Sequence, residues 1–214
     1  HAVAGPWEGH SALACARKFL DLIDARRECF TPDIHVNGVI TEGGSFPNIL
    51  PDRAVVRLEI RTGSLARLDQ MDEDIRKCAK GACIALDCDV KFTRGFEDFA
   101  DMVRVPVLEG AVQQLFEELG QPYEQVPEAR GSSDVGNVSY HCPTIQPQLS
   151  ISDTFYALHT EQFREETVKP RSHEAIAVGA QLIAGLVYQT MTDDGFREEV
   201  YHSYTEQLEK KRGT

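Results

Sequence analysis

The sequence is poor in basic residues and has no long apolar run. Its 214 residues include 22 Lys and Arg against 34 Asp and Glu, which gives a formal net charge of −12. This deficit argues against a nucleic-acid partner and against anionic membranes, because attraction to phosphate needs clustered Lys and Arg. No uninterrupted apolar run approaches the roughly 20 residues of a membrane span, so we expect no membrane partner. The 42% of hydrophobic residues is ordinary and allows a packed core.

The six cysteines form no C-x-x-C pair. Three of them, Cys15, Cys78 and Cys83, fall on the apolar faces of predicted helices. Reduced thiols in the core of an intracellular, cytoplasmic protein are therefore favoured over disulfides or a thiolate zinc site.

The first part of the chain, residues 1–95, has a regular apolar pattern. Helical spacing and strand alternation predict helices over residues 10–29 and 64–86 and strands over residues 34–42, 54–61 and 87–94. This order predicts a ferredoxin-like α+β unit, in which two helices cover one face of an antiparallel sheet. The first strand of such a unit would precede His1, so we expect the chain to lack it.

Residues 96–214 show a different pattern. We expect helices over residues 105–120, 172–192 and 195–212, a turn-rich polar segment from Arg130 to Asn137, and short strand material from Thr144 to Ser152. In the helix over residues 172–192 the expected buried side chains are Ala175, Ile176, Leu182, Ile183, Leu186 and Val187.

Four segments in order carry a family resemblance. They are His1 with Pro6-Trp7-Glu8-Gly9, Gly43-Gly44 with Pro47-Asn48-Ile49-Leu50-Pro51-Asp52, the segment from Gly131 to Ser139, and His159-Thr160-Glu161-Gln162-Phe163. Together they resemble the zinc metallopeptidase family of aminoacylase, carboxypeptidase G and aminobenzoyl-glutamate hydrolase. The branch that looks nearest is the cytosolic dipeptidase that cleaves β-alanyl-lysine-type peptides.

The resemblance implies a fold of mixed α/β and α+β class in two parts. Residues 1–95 would be the ferredoxin-like lid, which also forms a homodimer. Residues 96–214 would be the C-terminal half of the α/β catalytic domain. The N-terminal half of that domain, with most of the metal ligands and the general base, would lie outside this chain.

The activity implied by the resemblance is amide-bond hydrolysis of a small peptide or an N-acyl amino acid. Two zinc ions would share a water, lower its pKa and present hydroxide to the amide carbonyl. Because half of the catalytic domain would be absent, we expect this chain alone to be inactive. The alternative is a non-catalytic fragment that acts only as a dimerising structural module.

Two histidines match functional positions of the family. His159 would be a metal ligand, although a packed or solvated histidine is the common alternative. His1 would reach across the dimer and donate a hydrogen bond to the tetrahedral oxyanion. A terminal histidine is otherwise often disordered.

The remaining matched residues would contact substrate. Asn48 and Arg61 match lid residues that bind the substrate carboxylate, for which the guanidinium fork is well suited. Arg61 could equally be a solvated strand residue, and Asn48 part of a plain turn. Gly131, Ser132 and Ser133 match a pocket loop, while Gly-Ser-Ser-Asp is also a generic helix-capping turn. Gln146 departs from the family pattern, in which a histidine is frequent.

Overall fold

A computed structural model describes residues 1–125 and 131–212. The chain divides into two compact units, His1–Asp98 and Phe99–Thr214, close to the predicted boundary at residue 95. Arg130, the first residue of the predicted polar segment, lies outside the described residues.

The first unit contains two helices, a hairpin and two short 3₁₀ turns. In chain order these are the 3₁₀ turn Pro6–Glu8, helix α1 Ala12–Arg26, the 3₁₀ turn Arg27–Cys29, strands β1 His35–Glu42 and β2 Val55–Arg61, and helix α2 Leu65–Leu86. Serines begin both helices: the Ser11 hydroxyl accepts the amide of Ala14, and the Ser64 hydroxyl accepts that of Arg67. Such caps satisfy amides that have no partner within the helix.

Strands β1 and β2 form an antiparallel hairpin with an irregularity between Ile40 and Glu42. The helices α1 and α2 pack on each other, and α2 also contacts β2. Their shared core buries Ile23, Val36 and Met71. Gly38 allows close packing, because a Cβ there would lie 2.5 Å from Cδ2 of Leu58 and 3.1 Å from Cδ2 of Leu20.

The prediction of a third strand over residues 87–94 was wrong. These residues form no strand pairing, and the sheet has two strands. Cys88 and Phe92 still pack on the core, and the Arg76 guanidinium lies 4.5 Å from the centre of the Phe92 ring. Val90, between Cys88 and Phe92, is 40% exposed, so the alternating side is only partly covered, and no strand within residues 1–125 and 131–212 makes ladder hydrogen bonds with this segment.

The second unit is helical in the part that the structure describes. Its helices are α3 Pro106–Glu118, α4 Val135–Ser139, α5 Glu161–Glu166, α6 Pro170–Thr192 and α7 Asp194–Arg212. The strand material expected from Thr144 to Ser152 is not formed. Pro143 and Pro147 cannot donate to a ladder, and Ile145 and Leu149 pack against the helices instead. The molecule thus has mixed helix and sheet, with the sheet confined to the first unit among the described residues.

Helix α6 was predicted with the wrong set of buried residues. Ala175 and Leu182 are buried, but Ile176, Ile183 and Val187 are 70%, 66% and 49% exposed. Leu182 packs with Val112 and Phe116 of α3, so only one side of α6 is covered. Helix α6 is also long and apolar enough to cross a membrane. Length and composition are weak evidence for a membrane span, because core helices of soluble proteins can have both.

The core of the first unit gives a matched test of burial. Ile23 is 1% exposed in α1, whereas Ile84 is 81% exposed in α2. Ile23→Ala should lower the free energy of unfolding by about 3 kcal/mol, because it removes buried methylenes and leaves a cavity. The control Ile84→Ala makes the same change in water and should stay within about 0.5 kcal/mol of the parent. Urea unfolding followed by circular dichroism measures both, and equal losses would show that this core is wrongly placed.

Candidate functional site

His1 and Asn48 lie side by side on the surface of the first unit. The imidazole Nε2 of His1 is 3.4 Å from the side-chain amide Nδ2 of Asn48. The backbone joins the same two segments, because the Ala2 amide donates to the Asn48 carbonyl at 2.9 Å. Farther along, the Ala12 amide donates to the Pro51 carbonyl and fixes the loop on the start of α1. Residues that are far apart in sequence thus form one local group.

The hydrogen bonds of His1 indicate its tautomer. The Val3 amide donates to Nδ1 of His1 at 3.3 Å. A neutral imidazole carries one N–H, so the proton then lies on Nε2 and makes Nε2 a donor. The Asn48 atom nearest to Nε2 is the nitrogen Nδ2, so in this tautomer the two side chains form a hydrogen bond only after rotation of the Asn48 amide. In this tautomer His1 has an N–H at the surface.

Exposed apolar residues occur in the segments that carry His1 and Asn48. Trp7 is 79% exposed, Phe46 64% and Ile49 51%, and both His1 and Asn48 are themselves exposed. Exposed large apolar side chains are frequent at interaction sites. The pair can therefore act on a molecule that approaches from outside this unit.

Arg61 lies at the other end of the hairpin. It ends β2 opposite His35, whereas the loop that carries Asn48 joins β1 and β2 at their far ends. Arg61 lies six residues along β2 from Val55, which corresponds to about 20 Å. The guanidinium of Arg61 forms an ion pair with Glu59 at 2.8 Å. The structure therefore does not bring Arg61 to His1 and Asn48.

The predicted pocket loop begins the short helix α4. Gly131 and Ser132 are exposed. The hydroxyl of Ser133 accepts the Val135 amide at 3.1 Å and donates to the Gln146 side-chain oxygen at 3.3 Å. Ser133 is therefore engaged in the turn before α4, whose N-cap residue is Asp134 and forms no side-chain cap hydrogen bond, while Gly131 and Ser132 are exposed.

Three residues that follow this loop hold it in place, and the motifs predicted no role for them. Ser139 is fully buried; its hydroxyl accepts the Val103 amide at 2.9 Å and donates to the Gly136 carbonyl at 2.6 Å. The Asn137 side-chain oxygen accepts the amide of Ala100 at 3.1 Å. A Cβ on Gly136 would lie 1.9 Å from the Ala100 carbonyl oxygen. The only sequence signal was the run of small and polar residues itself.

Tyr140 continues this attachment. Its hydroxyl donates to Asp101 at 3.2 Å. Burial raises the pKa of the Tyr140 phenol, and the adjacent Asp101 carboxylate raises it further. The phenol therefore stays neutral and remains a donor at physiological pH.

His159 has an unusual backbone conformation. Its φ is +64°, in the left-handed region that few residues other than glycine adopt. The next residue, Thr160, caps α5 by accepting the Phe163 amide at 3.2 Å. The imidazole of His159 is exposed.

The described residues do not by themselves fit a zinc ion. Across residues 1–125 and 131–212, no three His, Cys, Asp or Glu side chains form a group that could hold a metal. Zinc sites use three or four protein ligands, of which the motif prediction gives this chain one, His159. Any metal bound near His159 would need further ligands from outside the described part of the chain.

Comparison with known proteins gives a consistent result. Residues 1–87 match the sequence model of the peptidase dimerisation domain of the M20 peptidases. The Xaa-Arg dipeptidase of Mus musculus is 30% identical over 169 residues, which are 77% of this chain and 39% of that protein. The Xaa-Arg dipeptidase of Homo sapiens is 29% identical, over 77% of this chain and 38% of its own length.

The chain is therefore a member of the M20 peptidase family, as the motifs predicted. The family match covers the first unit, in which the structure places the hairpin and the pair His1 and Asn48. The chain spans about two fifths of the length of these curated relatives. The family assignment thus rests on the dimerisation-domain match over residues 1–87 and on relatives that align with 169 residues of this chain.

The attachment of α4 can be tested with two glycines in helices. Gly136→Ala should lower the free energy of unfolding by about 2 kcal/mol or more, because the new Cβ collides with backbone that cannot rotate away. Gly110 in α3 has open space around it, so Gly110→Ala should be neutral or raise stability by up to about 1 kcal/mol. Thermal and urea unfolding distinguish the two. Tolerance of Gly136→Ala would contradict the close approach to Ala100.

Proposed function

We propose that this chain is part of a metal-dependent dipeptidase, to which it supplies a dimerising lid and part of the substrate site. The relationship to Xaa-Arg dipeptidases and the peptidase dimerisation domain support this function. The structural observation that supports it is the contact between the exposed side chains of His1 and Asn48. Both residues had been assigned to the substrate site from their motifs alone.

In this proposal His1 stabilises the tetrahedral intermediate. Its Nε2–H is free to donate to an oxyanion once the Asn48 amide rotates toward the substrate carboxylate. A preorganised donor of this kind contributes several kcal/mol to catalysis. Because the pair faces outward, the amide bond that it acts on would be held by another surface, for which the partner subunit of a lid-mediated homodimer is the natural source.

The second unit would supply a separate group of site residues. His159 would contribute one metal ligand, and Gly131 and Ser132 would contact substrate through backbone and hydroxyl groups, with Ser133 shaping the turn. The identity of the metal as zinc rests on the family. The other ligands and the general base would come from outside the described residues.

The proposed substrates are dipeptides, including those with a C-terminal arginine. The names of the two relatives support this choice. The acidic balance of the chain, −12 overall, would attract a cationic substrate rather than repel it. The free cysteines of the described part agree with a cytoplasmic location, which we also propose.

The test compares the 214-residue chain with the natural polypeptide that contains it. With zinc and a Xaa-Arg dipeptide, we expect no hydrolysis above background by the chain alone, since one histidine cannot hold the metal. The natural polypeptide should hydrolyse the dipeptide and lose this activity on treatment with a chelator. There, His1→Ala should lower kcat by about 10²–10³.

Two controls make the result specific. His10→Ala removes an exposed histidine nearby and should leave kcat unchanged. Equal effects of the two substitutions would remove His1 from the mechanism. If the natural polypeptide forms dimers but hydrolyses no dipeptide, the dimerising structural module becomes the better assignment.

A further inference from the structure

Three thiols of the first unit meet where the start of α1 lies against the end of α2. The Sγ atoms of Cys15 and Cys83 are 3.6 Å apart, although the two residues are 68 positions apart in the sequence. The thiol of Cys88 also lies within hydrogen-bonding reach of Cys15. These three residues form the thiol cluster. Neither the family motifs nor the proposed function uses it.

The packing of α1 on α2 brings the cluster together. Cys15 near the start of α1 contacts Cys83 near the end of α2. Arg26 at the end of α1 binds Asp74, which is farther back in α2, at 2.7 Å. The two helices therefore run in opposite directions. Cys15 and Cys83 are only 7% and 8% exposed and belong to the core of the unit, so their contact is a fixed part of the packing.

The end of α2 turns the third thiol toward the other two. Asp87 follows α2 in the left-handed region, with a φ of 49°. The Cys83 carbonyl accepts the amide of Asp87 and also that of Cys88, the latter at 3.0 Å. This backbone arrangement ends many helices and folds the next residues back over the last turn. Cys88 is only partly buried, so it is the member of the cluster that a solute can reach.

The members of the cluster differ in reactivity. Burial, followed by the hydrogen bond with Cys83, raises the pKa of the Cys15 thiol to about 12. Because the thiolate is the form that attacks an oxidant, Cys15 does not react first. A sulfur already in contact needs no diffusional encounter and can react in a second step. One accessible thiol beside sheltered partners is typical of cysteines that are oxidised reversibly.

We propose that the thiol cluster is a site of reversible oxidation by a hydroperoxide, which links Cys15 of α1 to a thiol at the end of α2. With hydrogen peroxide, the Cys88 sulfur attacks one oxygen and the O–O bond breaks, which gives a sulfenic acid on Cys88 and one water. The Cys15 sulfur then attacks the sulfenic sulfur. The S–O bond breaks, and the hydroxyl leaves with the Cys15 proton as a second water. Two thiols are oxidised to one disulfide, and one peroxide is reduced to two waters.

Cys83 offers a second disulfide by exchange. Its sulfur attacks that of Cys15, the Cys15–Cys88 bond breaks, and Cys88 leaves as a thiol with the proton of Cys83. The sulfurs of Cys15 and Cys83 then approach from 3.6 Å to the bond length of about 2 Å. Either disulfide joins the start of α1 to the end of α2.

The cross-link would act on the support of the pair His1 and Asn48. Ala12 lies less than one helical turn before Cys15, and its amide donates at 2.9 Å to the Pro51 carbonyl in the loop of Asn48. Joining Cys15 to α2 would restrain this part of α1. The inference does not depend on the proposed function, because it concerns thiols of the first unit and no substrate.

Peroxide treatment of the 214-residue chain, followed by alkylation and non-reducing peptide mapping, tests the inference. With a small molar excess of hydrogen peroxide, we expect a disulfide from the Cys15 peptide to that of Cys83 or Cys88 in most molecules. On a non-reducing denaturing gel the cross-linked chain should migrate faster, because a closed loop makes the unfolded chain more compact. Dithiothreitol should restore both the mobility and the free thiols.

Matched substitutions separate the cluster from the other cysteines. Cys15→Ala should abolish the cross-link, whereas Cys78→Ala should not, although Cys78 is also 7% exposed and lies in the same core. Cys88→Ala should slow cross-linking about tenfold or more, because it removes the accessible thiol. Cys29→Ala removes an exposed thiol outside the cluster and should leave the rate unchanged. Cys88→Ala keeps the test decisive if Cys15→Ala fails to fold.

Four results would overturn the inference. They are oxidation confined to the exposed Cys29 and Cys142, disulfides that form only between chains, a cross-link that appears only after urea has unfolded the chain, and equal rates for Cys88→Ala and the parent. The first two would show that the cluster does not react. The third would show that the folded packing does not hold the sulfurs in contact, and the fourth that Cys88 is not the thiol that meets the oxidant.

Discussion

The hydrophobic packing of α1 and α2 on a two-stranded hairpin is the constraint on which the first unit depends. Two strands alone are marginally stable in water, so the hairpin exists because Val36 is buried with Ile23 and Met71. The close approach of α1 at Gly38 then fixes the direction of α1 along β1. This direction carries the start of α1 to the loop of Asn48, and His1 with it.

The same packing separates the proposed site residues. Helix α1 runs back along β1: Leu13 lies beside Gly43 near the loop, and Arg27, beyond the end of α1, donates to the Val36 carbonyl at 2.9 Å. Arg61 is opposite His35 at the end of the hairpin that is farther from the Asn48 loop. Local hydrogen bonds therefore hold His1 beside Asn48, and the length of the strands separates both from Arg61.

Helices and strands with one clear periodicity could be predicted from the sequence, and those that depend on a neighbour could not. The alternation of Val56, Leu58 and Ile60 identified β2 because β1 follows the same rule and pairs with it. Residues 87–94 alternate as well, yet no strand accepts them. The prediction that Ile183 is buried was wrong for a related reason: its apolar character predicts burial, while its exposure depends on what packs against α6. Apolar periodicity identifies the apolar face of a helix or strand, but it does not show whether another element covers that face.

The motifs named candidate site residues, but the sequence could not give their geometry. The motifs named His1 and Asn48, and no local spacing could place them in contact, because the loop after β1 makes that contact. Gly136 and Ser139 were missed because their roles lie in one close backbone approach and one buried hydroxyl. Such roles become visible only when the segment containing Ala100 and Val103 is placed beside them.

The separation of Arg61 from His1 limits how the proposed reaction can be arranged. A dipeptide in extended form is about 7 Å long, whereas the two ends of the hairpin are about 20 Å apart. The backbone of one dipeptide does not span this distance within a single chain. A homodimer in which each lid contributes His1 and Asn48 to one site and Arg61 to the other is an arrangement in which both would bind substrate. A dimerisation domain that carries site residues at both ends of one hairpin would make dimer formation a condition of activity.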